Sequence, residues 1–370
     1  MSASVATVDL AAIMANVRRL DSVADGASLC AVVKADGYGH GSVQVARAAL
    51  DAGATWLGVA QVDEARVLRS EGIDAPILVL SELATDEIDA AVAMRLHLVV
   101  YRAALVDAIS ERAMAIGAPM VALHLKIDTG MRRVGCEPAE ALDLARRIVG
   151  APGVDLAGTM THLACADEPD RTTTEQQLDR FDDAVGALEA AGIDPGIRHA
   201  ANSAATIAHP RSRHDLVRVG IALYGIAPAP ALAGAVDLVP ALRWSTTVRH
   251  VKRVSAGESV SYGHRHTFEA DTVVATIPVG YADGVRRRLG LVGGPVLIGG
   301  RRCPIVGVVT MDQLVVDCGP HADVAVGDEV VLIGGQGDEA ITADEMAALL
   351  DTIGYEVVCD ISARVERRHR

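Results

Sequence analysis

Short apolar runs alternate with longer amphipathic stretches through the first 225 residues. The runs are 29–33 LCAVV, 56–60 WLGVA, 76–80 PILVL, 96–100 LHLVV, 121–127 VALHLKI, 154–160 VDLAGTM, 197–201 IRHAA and 216–221 LVRVGI. Between them lie stretches rich in Ala, Leu, Glu and Arg, such as 42–52, 63–71, 103–116, 138–149 and 174–191. There apolar residues recur at i, i+3, i+4 and i+7, the helical period. The runs predict strands buried on both faces. The alternation predicts parallel strands joined by helical crossovers. Eight such units fit a (β/α)8 barrel better than an open doubly wound sheet, and no GxGxxG follows the first run.

The texture changes at the Pro- and Ala-rich segment 227–240, APAPALAGAVDLVP, which reads as a linker. Beyond it come β-rich runs at 242–254, 272–279, 295–298, 304–310, 314–317 and 328–333. One helix is predicted over 342–353, with Thr342 as N-cap and Glu345 completing a capping box. The expected organisation is a barrel over 1–235 and a mostly-β domain over 236–370. A short first strand, Ser4–Val8, is able to pair with either.

The length of 370 residues agrees with two domains at roughly 150 residues each. Half the residues are apolar and 22% are charged, which supports a sizeable core and excludes wholesale disorder. The net charge of −14 argues against a nucleic-acid partner. The one basic cluster, Arg364, Arg367, Arg368 and Arg370, reads as a solvated end. No apolar run approaches the roughly 18–20 residues that span a bilayer, so no membrane partner is expected. The N-terminal MSASVATVDL does not resemble a signal peptide. The cysteines at 30, 136, 165, 303, 318 and 359 form no CxxC pair and match no zinc spacing. Reduced thiols, no metal and a cytoplasmic location are the expectation.

Chemistry in such barrels gathers where the strands end. Lys34 follows the first run directly, and Ala-Asp-Gly-Tyr-Gly-His-Gly follows it. Lys126, Asp128 and Thr129 end the fifth run, Thr161 and His162 the sixth, Asn202 and Ser203 the seventh; Arg218, Gly220 and Ile221 stand at the eighth. A desolvated lysine is nucleophilic as its neutral amine. Backbone N–H groups and a hydroxyl near Ser203 and Gly220 are able to cradle a phosphate. A reactive lysine beside a phosphate cradle points to pyridoxal 5'-phosphate. Read singly, Lys34 fits a snorkelling lysine, Gly220 a turn glycine and Asn202 a cap.

These blocks resemble bacterial alanine racemases, fold-type III pyridoxal-phosphate enzymes. The similar segments are AVVKADGYGHG at 31–41, LKIDTGMRRVG at 125–135, THLACAD at 161–167, HAANSAAT at 199–206, LVRVGIALYG at 216–225, VSYG at 260–263, PVGYADG at 278–284, VVTMDQ at 308–313 and IGYEVVCDISARV at 353–365. They occur in order along nearly the whole chain. The resemblance implies racemisation of L- and D-alanine by two bases, Lys34 (the Schiff-base lysine) on one face and Tyr262 on the other. It implies a chain Arg218–His162–Tyr262, with Arg218 on the pyridine nitrogen. Tyr38, Asn202, Ser203, Gly220, Ile221 and Tyr355 are implied around the cofactor, most of them at its phosphate. Arg133 and the backbone of Met311 are implied to bind the substrate carboxylate. Lys126 matches a lysine often carbamylated in the family, where it would hold Arg133. Tyr281 and Asp312 match the substrate entrance. Tyr262 and Met311 are expected from the partner subunit, making a homodimer with shared sites; the resemblance implies D-alanine supply for the cell wall or a catabolic role.

Two positions depart from the family pattern. Where the family usually reads GMGR, this chain has Gly130-Met131-Arg132-Arg133, and where it often reads GRxxMDQ, Val308 follows Gly307. Both bear on substrate range and entrance charge; a small amino acid such as serine is an alternative substrate. A fold-type III decarboxylase would typically carry a GGG run and a CESGD-like block, and Cys318 stands instead in VVDCGP. A non-catalytic pyridoxal-phosphate carrier would lack the second domain that holds Tyr262.

Overall fold

The computed structural model describes residues 4–370. The chain divides into two compact units: Ile13–Gly37 with Ser42–Val239, and Met1–Ala12 with Tyr38–Gly41 and Pro240–Arg370.

Strands are numbered here in chain order. β1 (Ser4–Val8) belongs to the second unit. The first unit is built on β2 (Ser28–Val32), β3 (Trp56–Val59), β4 (Ile77–Val79), β5 (His97–Val100), β6 (Val121–Lys126), β7 (Val154–Met160), β8 (Ile197–His199) and β9 (Leu216–Val219). All neighbours pair in parallel, in the order β8-β7-β6-β5-β4-β3-β2-β9. Two bonds draw the edges together: Asp215 N to Arg198 O and Arg218 N to Ala201 O, each 3.0 Å. The result is the (β/α)8 barrel that the alternation predicts. Its strands are buried almost throughout because helices cover one face and side chains fill the other. Leu123 lies opposite Leu156 but His124 lies opposite Gly158, so Ala157 is an extra residue bulged out of β7.

The second unit is mostly antiparallel. β1 pairs antiparallel with Leu242–Thr247 and parallel with Glu366–His369. The first strand therefore joins the β sheet, and the C-terminus is a strand beside it. The end is thus a strand, while the side chains of Arg364, Arg368 and Arg370 stay exposed as the sequence predicts and only Arg367 is half-buried. Arg364 pairs with Asp312 at 2.8 Å, Arg367 donates to Gly39 O at 3.0 Å, Arg368 pairs with Glu366 at 2.7 Å and Arg370 with Asp9 at 3.3 Å. The run 242–254 is two strands, Leu242–Thr247 and His250–Val254, that pair with different neighbours. The predicted helix spans Ala343–Leu350 and ends at Asp351 in the left-handed conformation. Thr342 caps it, accepting from Glu345 N at 3.0 Å. The reciprocal half of the box is absent because the Glu345 carboxylate is taken by Arg302. Cys30, Cys136, Cys303 and Cys318 are buried and Cys359 is exposed. No helix among the described residues is long and apolar enough to cross a membrane.

Candidate active site

Lys34 leaves β2 into a turn of unusual hand. Ala35, Asp36, Gly37 and Tyr38 have φ of 51°, 50°, 62° and 53°. Left-handed backbone costs an L-residue about 1–2 kcal/mol, so three non-glycine residues there need support. It comes from Gly37 N on Val33 O at 2.8 Å, Ala35 N on the Glu64 carboxylate at 2.6 Å and Ser42 N on the Asp36 carboxylate at 2.8 Å. Tyr224, wholly buried, donates to Val32 O at 3.1 Å and braces the strand end. Lys34 itself is half-buried and makes no ion pair among the described residues.

Arg218, on β9, is 4% exposed. Its Nη1 donates to His199 O at 2.8 Å and to His199 Nδ1 at 3.0 Å. Its Nη2 donates to Thr161 O at 2.8 Å and Ala200 O at 3.0 Å, with His162 Nδ1 at 3.4 Å. No carboxylate pairs with it, and its Nε–H has no partner among the described residues. Burial pushes the guanidinium pKa down to about 10, which leaves it charged at neutral pH.

His162 is held neutral. Burial first, then the charges of Arg218, Lys126, Arg133 and Lys34, keep its pKa well below 6.5. Gln177, from the helix Thr173–Ala190, fixes the surrounding loops by donating to His162 O at 3.1 Å and to Thr129 Oγ1 at 3.2 Å, while accepting from Ala164 N at 2.8 Å. Lys126 is 6% exposed, and burial together with Arg218 and Arg133 lowers its pKa to about 8. Arg133 is exposed and makes no hydrogen bond among the described residues; it shares a shallow depression with Lys126, Asp128 and His162. Four cations thus surround one imidazole in a chain whose net charge is −14. Such a mouth attracts anions.

Ser203 opens the helix Ser203–Ala208 and its Oγ accepts from Gly220 N at 2.9 Å. The turn Ile221–Tyr224 begins beside it, with the unpaired N–H groups of any helix start. Asn202 is the cap of Ser203–Ala208, accepting from Ala205 N at 2.9 Å.

Residues 8–228 match the alanine racemase N-terminal domain and residues 241–369 the alanine racemase C-terminal domain. The chain belongs to the alanine racemase family. An alanine racemase from Symbiobacterium thermophilum is 50% identical over 98% of this chain and 96% of its own length. The alanine racemase structure from Streptomyces lavendulae superposes with a TM-score of 0.95 at 40% identity, covering 100% of this chain and 97% of that one. That from Bacillus anthracis, with bound L-Ala-P, gives 0.93 at 39%, covering 100% and 95%.

The remaining alanine-racemase positions lie in the β unit. Tyr38 and Tyr355 pack with ring centroids 6.2 Å apart. Tyr262 is 73% exposed in the single chain and its hydroxyl makes no hydrogen bond among the described residues, so of the expected chain only the Arg218–His162 link is formed there. Met311 and Tyr281 are exposed on loops zipped together by Tyr281 N to Thr310 O at 3.0 Å and Ala282 N to Met311 O at 3.1 Å. A Cβ on Gly280 would lie 2.3 Å from Met311 O, so only glycine permits this approach. Asp312 is tied to Arg364. Of the departures, Arg132 turns its side chain to Glu137 at 2.6 Å, and Val308 is buried with its carbonyl accepting from Ser261 Oγ at 2.7 Å.

Sequence reasoning passed over Gln177, Glu64 and three histidines inside barrel strands. The signal was present for the histidines: LHLVV, VALHLKI and IRHAA each place one in an otherwise apolar strand.

Proposed function

We propose that the protein interconverts L- and D-alanine with pyridoxal 5'-phosphate, by two bases acting on opposite faces of the α-carbon. The observation that carries this reading is Arg218: a buried guanidinium without a carboxylate, with one N–H unspent, in an alanine racemase family member whose Lys34 ends the adjacent strand.

The donor set suits the cofactor. Lys34 would hold it covalently. Arg218 offers the ring nitrogen a donor but no transferable proton, since the guanidinium stays charged. Ser203 and Ile221 offer a hydroxyl and an N–H suited to a phosphate, with the Gly220 N–H holding the Ser203 oxygen beside them, and the family resemblance adds Asn202, Tyr38 and Tyr355. When bound, pyridoxal phosphate supplies the electron withdrawal that acidifies the amino acid's α-C–H.

The chain's residues do the rest. One base cannot readily serve both faces of a carbon. Lys34 Nζ takes or returns the proton on one face and Tyr262 Oη on the other. Arg133 and the backbone of Met311 bind the substrate carboxylate, and a carbamate on Lys126 would steady Arg133. Tyr281 and Asp312 line the entrance. His162, neutral and hydrogen-bonded to Arg218, is placed to orient the Tyr262 hydroxyl of the partner subunit in a homodimer with shared sites. The exposure of Tyr262 and Met311 in the single chain supports that arrangement. The family resemblance supports a cytoplasmic activity that supplies D-alanine for the cell wall or serves catabolism.

The test mixes purified protein, pyridoxal phosphate and L-alanine in heavy water, with proton NMR of the α-hydrogen and chiral analysis of the product. Loss of the α-proton signal with D-alanine appearing is the expected result. L-alanine left intact by cofactor-loaded protein would overturn the alanine assignment and direct the assay to serine.

A further inference from the structure

Three histidines cross the interior of the barrel in a single line that ends on Arg218. His97 Nδ1 lies 3.1 Å from His124 Nε2, His124 Nδ1 lies 2.8 Å from His199 Nε2, and His199 Nδ1 lies 3.0 Å from Arg218 Nη1. We propose that His199, His124 and His97 form a one-directional imidazole array that orients the Arg218 guanidinium and balances its charge, so that all three are positioning residues for the chemistry at the barrel mouth. The kinetic part of this rests on the role given to Arg218 above; the array itself does not.

The direction is set by valence. Arginine only donates, so His199 Nδ1 must accept and its proton must sit on Nε2. That proton is donated to His124 Nδ1, which places the His124 proton on Nε2 as well, and the same step fixes His97. Each ring then turns its lone pair toward Arg218 and its N–H away. Three aligned neutral dipoles present their negative ends to the cation. Burial, then neighbouring charges, holds the rings neutral: His97 has its pKa lowered to about 4 and His124 to about 3, and His199 is held well below 6.5.

The barrel is shaped around this line. His124 and His199 are wholly buried. Trp56 stacks edge-on against His97 at 4.4 Å and His124 at 5.9 Å between ring centroids. The bulge in β7 brings Gly158 opposite His124, and a Cβ there would lie 2.4 Å from His124 Nδ1. The groups facing Arg218 are otherwise carbonyls, the Cys30 thiol kept protonated by burial, and the cations Lys126, Arg133 and Lys34 near His162. A carboxylate at position 199 would hold Arg218 equally well but cancel its charge. The array holds it and leaves the charge in place for its remaining N–H.

The first measurement is 15N NMR of histidine-labelled full-length protein at pH 7, with and without added pyridoxal phosphate, assigned by single His→Gln variants. All three rings should be neutral Nε2–H tautomers. An Nδ1–H tautomer at His199 or an imidazolium at His124 would overturn the proposal. The second compares His199→Leu with His199→Asn, whose side-chain oxygen restores an acceptor to Arg218. A lost charge-assisted hydrogen bond corresponds to about tenfold or more in rate. His199→Leu should therefore lose about tenfold in kcat with little change in KM and a shifted cofactor absorbance, and His199→Asn should recover part of both. Wild-type kcat and absorbance in a folded His199→Leu protein would overturn the positioning role. Correct tautomers in a chain that binds no pyridoxal phosphate would sink the functional assignment and still support the array.

Discussion

His124 occupies space that only a glycine at position 158 leaves free: a Cβ there would stand 2.4 Å from His124 Nδ1 and 2.7 Å from Ile197 O. One obstacle is a ring held by hydrogen bonds at both nitrogens and the other is backbone, so neither gives way cheaply. Overpacking of this kind costs about 1–3 kcal/mol. Gly158→Ala should lower the urea midpoint accordingly and disturb the His124 tautomer. An unchanged midpoint would show that the ring is mobile.

Acid should destabilise the fold well before the carboxylates titrate. His97 and His124 are held neutral, with pKa values lowered from 6.5 to about 4 and about 3, chiefly by burial. His162, His199 and His214 are shifted the same way. Below 6.5 the unfolded chain binds more protons than the folded one, so stability is full above that pH and falls as pH drops toward the folded values. Urea midpoints should decline between about pH 7 and pH 5. A flat profile over that range contradicts the neutral array.

Burial first, and then the neighbouring cations, lower the Lys126 pKa to about 8, so a usable fraction is free amine near neutral pH. Reaction of the free amine with carbon dioxide forms the N–C bond and releases one proton; counted from the ammonium, two protons leave and an anion replaces a cation beside Arg133 and Arg218. With 13C-bicarbonate, a carbamate resonance is expected that Lys126→Ala abolishes. Its absence from the wild-type protein would leave Arg133 to be held some other way.

Arg132 explains itself through its backbone. Its φ is 57°, in the left-handed region, where the family's usual glycine is at ease and an L-residue costs about 1–2 kcal/mol. The Arg132–Glu137 pair is exposed and screened by water, so it offsets little of this. Arg132→Gly should keep activity and stability, while Arg132→Val, branched at Cβ, should lose about 1–2 kcal/mol in urea melts. Equal stability of the two would remove backbone strain as the reason for the family's glycine.

The barrel was legible because its signals are local. Continuous runs such as LCAVV and VALHLKI cannot sit on a half-exposed sheet, and their alternation with 3.6-period stretches leaves few folds. Lys34, Lys126, His162 and Arg218 were legible for the same reason: each polar group interrupts a strand or stands at its end. What stayed hidden depends on distant partners. The C-terminal strand was hidden because nothing local shows Glu366–His369 lying along Ser4–Val8. Glu345 looked like a capping-box acid because Arg302 is 43 residues away. The left-handed turn after Lys34 was hidden too, since two of its first three residues, Ala35 and Asp36, are not glycine and hold that shape only through Glu64 and Ser42.

The proposed site takes Lys34 from one subunit and Tyr262 from its partner, each indispensable. Lys34→Ala and Tyr262→Phe homodimers should both be inactive toward alanine. In a mixed dimer of the two variants, one site lacks both groups and the other has both intact. Subunit exchange between the dead proteins should therefore restore racemisation to about half the wild-type rate per mixed dimer. Failure to restore any activity, with mixed dimers demonstrated by differential tagging, would contradict the shared two-base site.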